Sequence, residues 1–162
     1  MSQPEPAPLA PAAVSGIDPR GPRFAAGVTA VLLAVAVVLG VGEATRTAAL
    51  VLLIVLALSF AVGAARGAQH TWQGWVFRTL VRPRLTPPAD LEDPRPPRFA
   101  QLVGLIVTGV GAVLGLVGVG AAVPVAAALA FIAAALNAVV GLCLGCELYL
   151  LGRRLRTGAA SA

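Results

Sequence analysis

The chain has 162 residues, 58% of them hydrophobic and only 12% charged, with a mean hydropathy of +0.88. That composition excludes an ordinary soluble enzyme, whose surface must be wetted, and two cysteines are too few for a disulfide-stapled secreted domain. The net charge of +5 would suit a nucleic-acid partner, but the twelve cations are all Arg set between apolar runs and only eight aromatic residues could stack on bases, so no nucleic acid is expected.

Residues 1–16 are rich in Pro and Ala and predict a disordered tail. Nineteen uncharged residues then run from Phe24 to Gly42, and another nineteen from Thr47 to Ala65. From Phe99 to Cys146 no charge appears for 48 positions. A helix rises about 1.5 Å per residue and the hydrocarbon core is about 30 Å thick, so roughly 20 residues make one crossing. The long run therefore holds two crossings, divided at Gly118-Val119-Gly120 before Pro124. The predicted spans are 24–42, 47–66, 98–118 and 124–151. The first exceeds the 7–15 apolar residues of a signal peptide and reads as a permanent span.

Between the second and third spans lies a loop, 67–91. Trp72, Trp75, Val76 and Leu80 share one helical face there, opposed by Gln73 and Arg78, which predicts a short helix at the headgroup level with Trp72 and Trp75 as interfacial anchors. Six prolines between Pro83 and Pro97 predict extended chain.

The third span opens as the first one does. Asp18-Pro19-Arg20-Gly21-Pro22-Arg23-Phe24-Ala25 returns as Asp93-Pro94-Arg95-Pro96-Pro97-Arg98-Phe99-Ala100, identical at seven of eight positions and offset by 75. The chain thus reads as an all-α membrane protein of four transmembrane helices, arranged as two tandem parallel hairpin repeats, 17–66 and 92–154, with a flexible tail over 155–162. Asp18, Arg20, Arg23, Asp93, Arg95 and Arg98 are expected to cap helices, pair with one another and face anions or lipid headgroups. Eleven of the twelve Arg fall on one side of the spans and only Arg46 on the other. The positive-inside rule then places both termini and the central loop in the cytoplasm of a bacterial plasma membrane.

The two cysteines, Cys143 and Cys146, are three apart near the end of the fourth span. On a continuous helix Cys143, Cys146 and Glu147 share one face, roughly 28 Å beyond Pro124 and near the cytoplasmic interface. Two thiols at that spacing can cycle between dithiol and disulfide, with Glu147 moving a proton. No metal is expected, since two cysteines are half a tetrahedral set, and no cofactor is indicated. Asn137, with Gly141 and Gly145, predicts a helix-packing seam.

The paired openings IDPRGPRFAAGV and EDPRPPRFAQ, the QGWVFRTLVRPRL segment and the LNAVVGLCLGCELYLL ending resemble the bacterial membrane family catalogued as domain of unknown function 4395, over about residues 17–154. The resemblance implies the four-span layout, draws attention to the cysteines, and implies a thioredoxin-like or sulfurtransferase partner. It supplies no activity. The reading is a thiol–disulfide or sulfur relay in the lipid bilayer. The alternatives are an oligomeric transporter or channel subunit for a small sulfur species, and a non-catalytic scaffold for a soluble partner.

Overall fold

A computed structural model describes residues 16–159 of the chain. The tail expected over 1–16 lies, apart from Gly16, outside the described residues. Six helices follow in order: α1 (Arg20–Val41), α2 (Arg46–Arg66), the short α3 (Trp72–Val76), α4 (Arg95–Leu116), α5 (Ala122–Val140) and α6 (Leu144–Ala159). A π turn over Phe77–Val81 prolongs α3. Helices α1, α2, α4 and α5 are each long and apolar enough to cross a membrane. Their outward faces carry bare aliphatic side chains, with Val38 74% and Val139 77% exposed, which lipid accommodates and water does not.

Both motif-bearing helices begin at their first Arg, a few residues earlier than the charge pattern predicts. The reason is local: Asp18 accepts the Arg20 backbone N–H at 3.0 Å, and Asp93 accepts that of Arg95 at 2.9 Å. Each carboxylate so occupies one of the orphan donors of a helix start.

The four spans form a ring in which α1 packs chiefly on α5 and α2 chiefly on α4, so each hairpin pairs with the opposite hairpin. The core, Leu33, Ala36, Leu53, Ala112, Val123 and Ala127 among others, lies toward the end where α1 turns into α2. Small residues bring the backbones together there: a Cβ on Gly111 of α4 would collide with the Ala126 Cβ of α5. The other end of the bundle, where the chain enters α1 and α4, is less filled.

The fourth predicted span does not run unbroken to 151. Gly141 adopts a left-handed conformation (φ 76°), and its N–H and that of Leu142 close back on the carbonyls of Asn137 and Leu136. Glycine takes that conformation without a Cβ clash, so α5 stops at Val140 and α6 starts afresh at Leu144. Helix α6 runs on to Ala159, where the sequence predicts a flexible tail from 155.

Candidate functional site at the motif-bearing end of the bundle

The break at Gly141 changes the setting of the cysteines. Cys143 stands just outside α6, at its N-terminal boundary, while Cys146 and Glu147 occupy the first turn. The three residues therefore do not share the face of one continuous helix. Cys143 and Cys146 are joined in a disulfide, with Cα atoms 5.2 Å apart. The Cys146 N–H points at the Cys143 sulfur (3.4 Å), and the Glu147 N–H donates to the Cys143 carbonyl (3.0 Å). A sulfur at a helix N-terminus faces unsatisfied N–H groups and the positive end of the helix dipole, which favour a thiolate once the bond is reduced. Both cysteines are half-buried and Glu147 is exposed.

The two repeated motifs lie at this same end. Ile17 and Glu92, 75 positions apart, exchange backbone hydrogen bonds of 2.9 and 3.0 Å in an antiparallel bridge. Asp18 pairs with the Arg20 guanidinium (2.8 Å) and Asp93 with that of Arg95 (2.9 Å). In each case the guanidinium hydrogen bond holds the carboxyl below its ordinary value, Asp18 doing so against the opposing effect of burial. Arg20 also donates to the Thr86 carbonyl (2.9 Å), tying the proline-rich loop to α1. With Arg78 and Arg82 it borders a second recess of about 360 Å³.

The second Arg of each motif reaches across to the opposite hairpin. Arg23 donates to the carbonyls of Ala138 and Val139 at the end of α5 (3.4 and 3.3 Å). Arg98 donates to those of Ala64 and Ala65 at the end of α2 (both 2.6 Å). These are carbonyls a helix leaves unsatisfied, and a cation is the partner the dipole favours there. Phenylalanines follow the same pattern: Phe24 packs on Phe77 after α3 (centroids 5.7 Å apart), and Phe99 on Tyr149 of α6 (5.8 Å).

Between the motifs and the core lies a cavity of about 460 Å³. The disulfide, Arg23, Glu92 and Pro97 border it at the loop end, and Leu56, Val107 and Leu129 border it within the spans. Gln73 closes part of its wall. Predicted on the polar outer face of the loop helix, Gln73 is instead only 4% exposed; it donates to Thr29 of α1 (3.2 Å) and accepts from Ser59 of α2 (2.9 Å). Trp72 and Trp75 project outward, 45% and 57% exposed. Thr71 caps this helix by accepting the Gly74 N–H (3.2 Å).

Asn137 and Gln101 both line the cavity, and among the described residues neither side-chain amide makes a hydrogen bond within the protein. Asn137 thus stands on the same cavity as the cysteines rather than in a packed helix seam. Gly145, in α6, presses against Ala100 of α4, a contact a Cβ would prevent. The polar residues missed by sequence reasoning are Thr29, Ser59 and Gln101. The available signal was their rarity within otherwise uncharged apolar runs.

Four apolar spans around a half-open chamber, with a disulfide at its mouth, define a multi-pass helical membrane protein. The chain belongs to the family described as Domain of unknown function (DUF4395), whose model matches residues 17–154. No curated protein and no solved structure matches it.

Proposed function

We propose that this protein is a membrane thiol–disulfide relay, with Cys143 and Cys146 cycling between disulfide and dithiol at the cytoplasmic face of a bacterial plasma membrane. The observation that carries the reading is the disulfide at the N-terminus of α6, a position that stabilises the thiolate of Cys143. A thioredoxin-like dithiol protein is the partner. Its thiolate attacks the Cys146 sulfur, and Cys143 leaves as the better-stabilised thiolate. The partner's second thiolate then attacks its own sulfur in the mixed disulfide and releases Cys146. Two electrons have moved to the membrane protein, and the partner has become a disulfide.

Glu147, exposed in the first turn of α6, exchanges the proton of the Cys146 thiol with water. The outward pair Trp72 and Trp75, beside the loop held by Arg20, forms the interfacial anchor and part of the docking surface. The two Asp-Pro-Arg motifs build the scaffold: two copies of one hairpin unit, each unit's second Arg closing the other's helix end. Arg20, Arg78 and Arg82 face headgroups around their shared recess.

Maleimide labelling in membranes tests the relay. Both cysteines are expected to resist labelling under oxidant and to label after incubation with a reduced thioredoxin-like protein. In Cys143→Ser the remaining Cys146 thiolate is expected to attack the disulfide form of the partner and hold it as a mixed disulfide that no second membrane thiol resolves, and Cys146→Ser to hold far less. Cysteines that stay fully labelled under oxidant, with no trapped adduct in either variant, would end the relay reading.

A further inference from the structure

Accepting two electrons from a soluble partner leaves Cys143 and Cys146 reduced, and the relay turns over only if something removes those electrons. The cavity beside the disulfide is placed for that task, and its chemistry narrows the acceptor. Its volume, about 460 Å³, falls within the roughly 300–1,000 Å³ of pockets that enclose whole organic ligands, and exceeds what sulfide or one persulfide sulfur needs. It extends to Leu56, ten residues or roughly 15 Å from the end of α2, and so about halfway into the hydrocarbon core. An occupant that fills it therefore spans from the headgroup level to hydrocarbon depth, which suits a molecule with a polar head and an apolar body.

Two groups on its walls can meet a polar occupant. The side chains of Gln101 and Asn137 are half-buried, and among the described residues neither amide has a hydrogen-bond partner, so each keeps donors free for a ligand. They come from different walls. Gln101 leans on Gly63 of α2, and Asn137 lies on α5 beside the turn that Arg23 of α1 closes. Donors on two sides suit a flat ring with an acceptor oxygen at each end. Arg23 borders the rim together with the carboxylates of Glu92 and Glu147, so the rim holds charge of both signs and discrimination falls to the two amides.

We propose that the cavity is a quinone site, and that a lipid-soluble quinone is the electron acceptor for the dithiol. Gln101 and Asn137 donate to the two quinone oxygens, and the ring lies within reach of the Cys143–Cys146 pair. The step balances. The two thiolates give two electrons to the quinone and the sulfur–sulfur bond re-forms. The quinone takes up two protons from water at the motif-bearing end and leaves as hydroquinone. The inference rests on the relay reading for its electrons, but ligand binding tests it separately.

The experiment uses the full chain in lipid nanodiscs with decylubiquinone as the probe. Saturable binding is expected, and the reduced protein should yield one hydroquinone for each disulfide formed. Gln101→Leu and Asn137→Leu should each weaken binding about tenfold, the loss of one hydrogen bond, while leaving reduction of the disulfide by a thioredoxin-like dithiol unchanged. Ala134→Phe, which fills the chamber from α5, should abolish binding while the disulfide still exchanges with the thioredoxin-like dithiol, which shows that the chain has folded. Decylbenzene, with the same tail and no oxygens, should compete poorly.

If decylbenzene competes as well as the quinone, the chamber holds lipid chains and the quinone site is overturned. Partner exchange with neither quinone binding nor hydroquinone formation also overturns it, and leaves the relay standing. Quinone binding that responds to the amide variants in a protein whose cysteines never exchange upholds the site and removes the relay.

Discussion

Asp18 and Asp93 perform the same local task in different surroundings. The Asp18 side chain is 6% exposed and that of Asp93 is 39% exposed, although each accepts the backbone N–H and guanidinium of the Arg two residues on. Their pH dependence follows from the sign of the shift. A carboxyl held below its ordinary value binds its proton more readily in the unfolded chain. The stability it contributes is therefore full above the ordinary carboxylate range and is lost as pH falls through its depressed native value. Asp18→Asn is expected to lower stability at neutral pH by roughly 1–2 kcal/mol, with the difference from the native chain vanishing in acid. Asp93→Asn should show the same sign and a smaller effect, because water screens its pair. Thermal unfolding in detergent across a pH series reads both. The sequence displayed the paired motifs plainly, but not which copy is buried, since that depends on what packs over each.

At the scale of the element, the informative break is Gly141. The uncharged run from Phe99 to Cys146 offers no polarity change at the end of α5, so hydropathy reads straight through it. A glycine after an apolar run was the available signal: Gly67 ends α2 at φ 97° with its N–H on the Gly63 carbonyl, and Gly141 ends α5 by a like bond to the Asn137 carbonyl. After each glycine a new helix starts, capped by Thr71 in one case and headed by Cys143 in the other. Gly141→Ala is expected to lower stability by about 1–2 kcal/mol, because a Cβ is disfavoured in the left-handed region, and Gly141→Asn by less. The same substitution should alter the rate at which reduced Cys143 reacts with maleimide, since Gly141 sets where α6 begins. An unchanged thermal midpoint for Gly141→Ala would remove this account of the break. The loop helix teaches the same lesson: its apolar face was legible, but Gln73 turned inward because Thr29 and Ser59 meet its amide.

Across the whole molecule, the two hairpins are locked by exchange. Arg23 of the first closes α5 of the second, and Arg98 of the second closes α2 of the first. Two open carbonyls at a helix end near the bilayer boundary lose their partners if either Arg is removed. Arg98→Gln should cost about 1–3 kcal/mol in detergent unfolding, and Arg23→Gln less, as its contacts are longer. Equal and negligible losses would show that the interlock contributes nothing to holding the hairpins together. The dense core and the chamber follow from the same packing. Small residues allow close approach near the α1–α2 turn, and toward the motif-bearing end the space is left to Gln73, the disulfide and the cavity.

The sequence by itself determined that the chain has four stretches fit to cross a membrane and carries a pair of cysteines near one end. Those properties follow from run length, charge placement and residue identity, which are local. It also displayed the 75-residue recurrence. What only the tertiary structure decided is which helix faces which, and that Gln101, Asn137 and the disulfide border one chamber. Those depend on side chains distant in sequence meeting across the bundle. In an almost wholly apolar chain the hydropathy pattern cannot distinguish a lipid-facing position from a cavity wall.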